Sequence, residues 1–188
     1  IMPDDTLYRV VDFSTGTLSV GALRNGILTD VALSVFPAGT RTQVTGARTY
    51  KNEKSNPATF ELTPGRYDLE AVSVEIEGKV THRIDSIRIG PGQAIDTSFL
   101  FTSGTLHLGV MQGEERIDAV VQVYSTDTGR HVAGGRTYTG ATTNPRAFEL
   151  APGTYRVVVS PAKRKDLEKR ELTVKVSEEK ILEETVRY

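Results

Sequence analysis

The side chains best suited to chemistry in this chain occur twice, at one spacing. Arg48, Tyr50, Asn56 and Glu61 recur as Arg136, Tyr138, Asn144 and Glu149, inside segments 46–67 and 134–155 that agree at 12 of 22 positions, without a gap, at a constant offset of 88. Similarity of this kind marks a duplicated structural unit, and it raises the question of whether the retained residues are a site or a requirement of the fold. As a ligand-binding site, Arg48, Tyr50 and Asn56, with Arg136, Tyr138 and Asn144, form a polar-aromatic patch suited to stacking on a sugar or gripping a peptide. As a fold requirement, Arg48 pairs with Glu61 from a neighbouring strand, Asn56 makes an Asx-type turn before Pro57, and Tyr50 packs with its hydroxyl on backbone. The intervening loops, KNEKS against TGATT, differ sharply, which suits a common scaffold better than a common ligand.

Other reactive constellations are thin. His82, His107 and His131 are scattered along the chain, whereas metal centres gather their ligands at close spacing. No serine has the strand-to-helix elbow context of a hydrolase nucleophile. Carboxylates are plentiful but alternate along strand-like segments, on faces where water solvates them. The sequence therefore implies no catalytic residue, no metal and no cofactor, and the expected protein is not an enzyme. With 23 basic and 24 acidic residues and a net charge of -1, no nucleic-acid partner is implied. Carbohydrate is a possible ligand, although the lack of Trp leaves only Tyr and Phe for stacking.

The elements that position these residues read as strands. A chain of 188 residues with an internal offset of 88 is expected to form two domains, residues 14–101 and 102–188, joined through Thr102-Ser103. Residues 1–13 then occupy the place of a closing strand from a preceding unit, or form a linker strand. Segments such as Gly16 to Leu23 and Asp30 to Phe36 alternate apolar with small or polar residues, the period-2 pattern of a half-buried strand. Asn25-Gly26 supplies a hairpin turn, and Thr63-Pro64-Gly65 predicts a type II turn with positive φ at the glycine. The charged stretch 163–171 reads either as a hairpin tip or as a helical turn. Each repeat counts seven short strands at spacings of about 8 to 12 residues, the signature of a β-sandwich. The fold expected is all-β: two tandem seven-stranded immunoglobulin-like, transthyretin-like sandwiches.

A Gly-x-Leu opening strand, an Asp-apolar-x-apolar second strand and Phe-x-Leu-x-Pro-Gly-x-Tyr resemble the transthyretin-like or carboxypeptidase regulatory-like β-sandwich superfamily. More narrowly, Arg-Thr-Tyr, Asn-Pro and Phe-Glu-Leu-x-Pro-Gly-x-Tyr in register resemble tandem modules found beside von Willebrand factor type A domains in bacterial envelope proteins. The resemblance covers nearly the whole chain and specifies fold better than function. It implies a structural spacer or protein-interaction region of a larger bacterial protein, periplasmic or extracellular. Its partners would be domains of the same parent chain or another envelope protein, with carbohydrate or peptide binding as the alternative. Residues 12–16 read DFSTG, which superficially match the metal loop of those A domains, but Gly16 stands at the third ligand position and no metal is expected. Related pilin and adhesin sandwiches form Lys-Asn isopeptide bonds between their first and last strands; the first strands here, around Leu18 and Leu106, hold no lysine, so no crosslink is expected.

No apolar run approaches the roughly 18 to 20 residues of a membrane helix, so no membrane insertion is expected. The opening segment IMPDDTLYRV has neither the basic nor the apolar region of a signal peptide. Ile1 reads as the start of a trimmed or processed chain, with any signal sequence lying upstream.

Overall fold

The computed structural model describes residues 14–188, and every regular element among them is a β-strand. Alternation builds the first sheet. Along β1 (Gly16–Arg24), Leu18, Val20 and Ala22 are buried while their neighbours are only partly so, because successive side chains of a strand leave opposite faces. Asn25 and Gly26, both at positive φ, turn the chain into β2 (Ile27–Leu28), which pairs back on the end of β1. At Thr29 and Asp30 the chain crosses to the opposite sheet and begins β3 (Val31–Pro37), whose Val31, Leu33 and Val35 face inward. The unit is completed by β4 (Thr45–Arg48), β5 (Ala58–Leu62), β6 (Gly65–Ser73), β7 (Thr81–Ile89) and β8 (Ala94–Phe101).

In one sheet β1 is central, with β2 and β5 antiparallel to it and β8 parallel. The facing sheet runs β4-β3-β6-β7, antiparallel throughout. The second unit repeats this plan with β9 (Gly104–Gln112), β10 (Glu115–Arg116), β11 (Ala119–Ser125), β12 (His131–Arg136), β13 (Arg146–Leu150), β14 (Gly153–Pro161), β15 (Arg170–Val176) and β16 (Ile181–Arg187). Its central strand is β9, flanked by β10, β13 and the parallel β16, and its second sheet runs β12-β11-β14-β15. Two separate apolar cores result, one around Leu18, Phe60, Leu69 and Phe101, the other around Leu106, Phe148, Val157 and Val186. The architecture is that of immunoglobulin-like β-sandwiches in tandem.

Three expectations are refined. Each unit has eight strands rather than seven, because the hairpin returns for two residues (β2 and β10) before crossing sheets. Residues 162–169 form the loop of the β14–β15 hairpin, with no helix. The strand expected over residues 7–13 lies outside the described residues. The Pro-Gly corner is not a type II turn, since neither Gly65 nor Gly153 takes up a positive φ. Space at the corner is tight in the first unit, where a Cβ on Gly65 would stand 3.3 Å from the ring of Tyr67, and ordinary in the second, where the distance from Gly153 to Tyr155 is 3.6 Å. The ring folds over the glycine so that the Tyr67 hydroxyl donates to the Thr63 carbonyl at 2.8 Å, and Tyr155 does the same to Ala151 at 2.7 Å. Burial, with the nearby Asp127 charge, pushes the Tyr155 hydroxyl pKa above its ordinary value.

The first and last strands of each unit lie side by side, and their fully buried positions are apolar, Leu18, Val20 and Ala22 beside Phe99 and Phe101, and Leu106, Leu108 and Val110 beside Val186, with Thr97 and Glu184 partly buried on the same faces. Tyr67→Phe and Tyr155→Phe each remove a hydrogen bond that closes a corner without changing shape, and each is expected to lower stability by about 1 kcal/mol in urea unfolding.

Candidate functional site

The duplicated polar residues converge on the point where the chain crosses between sheets. Pairing of β1 with β5 ends at Val20 opposite Ala58, and Pro57, the next residue outward, has no N–H to continue the ladder. Asn56 continues it with its side chain. Its Oδ1 accepts from the Ala22 N–H at 3.0 Å, and its Nδ2 donates to the carbonyls of Ala22 at 2.7 Å and Thr29 at 3.3 Å. Thr49, fully buried, donates its hydroxyl to the same Thr29 carbonyl at 2.8 Å and accepts from the Val31 N–H at 3.1 Å. The second unit reproduces every contact. Asn144 serves both backbone groups of Val110 and donates to the Ile117 carbonyl, while Thr137 bridges that carbonyl and the Ala119 N–H. Asn56-Pro57 and Asn144-Pro145 are both cis. Asn56 and Asn144 are therefore buried structural amides, absent from the surface patch in which the sequence placed them, and neither forms a local Asx turn.

Arg48 and Tyr50 do come together at the surface. Arg48 forms a two-point pair with Asp30, at 2.5 Å from both Nε and Nη2, and Arg136 pairs with Asp118 at 2.6 Å in the same manner. Glu61 is not the partner. Arg48 sits opposite Ala32 in the β3–β4 register, which brings it diagonally beside residue 30, whereas Glu61 belongs to the other sheet. The Arg136 hydrogen bonds hold the Asp118 carboxyl below its ordinary range despite the opposing effect of burial. Each guanidinium also lies 5.0 Å over a tyrosine ring, Tyr50 or Tyr138. These rings are 48 % and 50 % exposed and sit on backbone at positive φ, so they stand out from the surface instead of packing inward. A bulky residue in that region is strained on the order of 1 kcal/mol or more.

The second polar cluster, which the sequence did not bring together, lies between the units. Asn25 at the β1–β2 turn reads the backbone of Ser103: its Oδ1 accepts from the Ser103 N–H and its Nδ2 donates to the Ser103 carbonyl, each at 3.0 Å. The Asn25 N–H donates to the Phe101 carbonyl at 3.0 Å. Glu149 closes the joint from the other side. It pairs with Arg24 at 2.6 Å and accepts from the Ser103 hydroxyl at 2.5 Å and the Thr105 hydroxyl at 3.0 Å, while its own carbonyl accepts from the Glu77 N–H at 2.9 Å. Ser103, half of the two-residue connection, is fully buried. Ala151 packs against the first unit's core, and Gly78 lies so close over Val132 that a Cβ would meet it at 3.2 Å, at a φ of +84° that also favours glycine. Arg24 further leans toward Glu75, which is bound by Lys51 and by the Thr29 hydroxyl at 2.7 Å. Burial alone would push the Glu75 carboxyl up, but the Lys51 and Thr29 hydrogen bonds and the Arg24 charge together hold it below its ordinary range. The one signal in the sequence was that Glu149 is retained from Glu61 inside the repeated Phe-Glu-Leu-x-Pro-Gly-x-Tyr run.

Among the described residues no three His, Asp or Glu side chains gather as a metal-ligand group, and His82 stacks on Phe101 with ring centres 4.5 Å apart. No helix of the structure is long and apolar enough to cross a membrane.

No protein-family model and no curated protein matches the sequence. Solved structures do match in fold. A proposed adhesin from Bacteroides ovatus superposes with a TM-score of 0.51 at 10 % identity, over 100 % of this chain and 98 % of its own. The minor pilin of Streptococcus agalactiae gives 0.48 at 13 % identity, covering 92 % of this chain and 94 % of its own. The TIE protein of Bacillus anthracis gives 0.42 at 16 % identity over 93 % of this chain, which spans only 34 % of that protein. At these identities the likeness is one of fold alone.

Two outcomes follow from this geometry. Asn56→Ala leaves the buried Ala22 N–H without its partner and takes one donor each from the Ala22 and Thr29 carbonyls, which keep the Thr29 N–H and the Thr49 hydroxyl, and it is expected to cost roughly 1 to 3 kcal/mol in chemical denaturation. Arg48→Ala, at an exposed pair, should cost distinctly less. The Glu75 contribution follows from its depressed pKa: it is fully present above the unfolded glutamate value of about 4.3 and is lost as pH falls through the lower folded value. The melting-temperature difference between the parent protein and Glu75→Gln is therefore expected to be constant at neutral pH and to shrink progressively as pH falls from about 4.3 through the lower folded value.

Proposed function

We propose that this chain is a non-catalytic spacer and interaction module of a bacterial cell-surface or periplasmic protein, built from two sandwiches, residues 14–101 and 102–188, held as one stiff rod. The observation that carries this reading is the joint. Flexible domain linkers leave polar groups to water and let units reorient. Here the connection is two residues long, and its Ser103 is hydrogen-bonded through N–H, carbonyl and hydroxyl to groups from both units. The parent protein we infer is of the kind that carries a von Willebrand factor type A domain beside transthyretin-like modules. On this reading the partners are the neighbouring domains or another envelope protein.

A second reading is favoured by the paired tyrosines. Tyr50 and Tyr138 each hold an exposed ring under an arginine at positive φ, and strain of this kind is retained where surroundings or function demand it. In this reading the two Arg-Tyr patches bind carbohydrate or peptide, with Asn56 and Asn144 supporting them from below.

Spin labels on exposed sites of the two units test the spacer directly. A single narrow distance distribution is expected for the parent protein, with broadening in Glu149→Ala and Asn25→Ala while each unit stays folded. A broad distribution in the parent protein would sink the rigid-rod reading. A glycan and peptide array run on Tyr50→Ala and Tyr138→Ala separates the second reading, which requires binding that both changes abolish.

A further inference from the structure

Because the units are repeats, each surface of one has a counterpart on the other at the offset of 88, and one such pair of surfaces differs sharply in exposure. On the second unit, Ser103, Val132, Glu149 and Ala151 form the face against which the first unit docks. Their counterparts on the first unit are Thr15, Val44, Glu61 and Thr63. Ser103 is buried and Thr15 exposed; Val132, Glu149 and Ala151 are partly buried, whereas Val44, Glu61 and Thr63 are all exposed, Val44 at 52 %. Val44, Glu61 and Thr63 line a shallow groove with Pro37 and Tyr67, matching the cleft in which Val132, Ala151 and Tyr155 meet Gly78 and Lys79 at the joint. The acceptor chemistry is retained: the carboxylate of Glu61 stands for Glu149, and Thr17 for Thr105.

We propose that this end of the first unit is the docking face for a further β-sandwich of the first-unit type, preceding it in the same polypeptide and supplying an Arg-Asn-Gly hairpin to Glu61. The proposal rests on the spacer reading, since it extends the same rod by the same joint. Two observations select this occupant over a second copy of the chain. The second unit's own free hairpin reads Gln112-Gly113-Glu114 where the first has Arg24-Asn25-Gly26, and Lys163 and Lys165 stand where the joint uses Glu75 and Glu77. It therefore lacks the asparagine amide that reads a Ser103-like backbone, and the arginine beside it, Arg164, is already held by Gln112 and Asp166 instead of extending from the hairpin itself as Arg24 does. The first unit's hairpin, which has them, is already engaged by Ser103 and Glu149 within its own chain. In addition, the run that enters the first unit, Phe13-Ser14-Thr15-Gly16-Thr17-Leu18, keeps Phe, Gly, Thr and Leu of the run that enters the second, Phe101-Thr102-Ser103-Gly104-Thr105-Leu106. The rod is thus directional, with an accepting end on the first unit and no matching donor on the second.

The test extends the full chain by a second copy of residues 14–101 joined directly ahead of Ser14. Amide exchange at residues 15–17 and 62–65 of the acceptor unit is expected to slow on the order of tenfold relative to the parent chain. Spin labels across the new junction should give a distribution as narrow as that across the original joint. Glu61→Ala in the acceptor, or Asn25→Ala in the added copy, should abolish both effects without unfolding either unit. Unchanged exchange and a broad distribution at the new junction, beside a narrow one at the original joint in the same molecule, would overturn the proposal alone. Breadth at both junctions would overturn the spacer reading with it.

Discussion

A single carbonyl oxygen in each sandwich anchors the arrangement. Where the chain leaves one sheet for the other, the carbonyl of Thr29, or Ile117 in the second unit, receives both a buried asparagine amide and a buried threonine hydroxyl. A backbone crossing through an apolar interior must have its polar groups satisfied or the sandwich loses several kcal/mol. The asparagine also caps the β1 or β9 ladder where its neighbour strand stops, and the threonine fixes the start of β3 or β11. Loop, crossing and central strand are thereby tied into one unit, and the arginine-aspartate pair seals the same corner from outside.

The joint uses the same principle between units. Asn25 acts on the Ser103 backbone much as Asn56 acts on Ala22, presenting an amide that substitutes for a strand edge. Glu149 then brings one charge into contact with Arg24 and two hydroxyls, in a partly buried setting that is less screened than a fully exposed pair. Apolar contact is small and specific, through Ala151 and the glycine that lets the 74–80 loop approach Val132. A stiff connection built from directional bonds sets the angle between the sandwiches more closely than an apolar contact of equal size, because hydrogen bonds lose strength with misalignment.

Much of the fold was legible in the residues. Leu18, Val20 and Ala22, and Val31, Leu33 and Val35, showed their inward faces through alternation alone, and Asn25-Gly26 declared its turn. In the segment around Arg-Thr-Tyr the fold reading gave Arg48 and Tyr50 partners that the structure replaces. Its middle residue, Thr49, carries the buried hydrogen bonds, Arg48 finds Asp30 instead of Glu61, and Tyr50 points outward. The Pro-Gly corner held a similar surprise, since Gly65 sits against the Tyr67 ring and does not adopt a positive φ.

Periodicity and duplication are local or self-referential properties, so the sequence by itself determined strand faces, turn positions and the existence of two equivalent units. It also showed that Arg48, Thr49, Tyr50 and Asn56 are held to one pattern in both. Which partner each residue takes depends on strand order and on which sheet a strand joins, and these involve contacts between positions from 18 residues apart, as Asp30 and Arg48, to opposite halves of the chain, as Arg24 and Glu149. Only the tertiary structure decided that Asp30 and not Glu61 lies beside Arg48. The same holds for the joint, where Asn25 meets Ser103 and Glu149 meets Arg24 because two independently formed sandwiches bring their ends together.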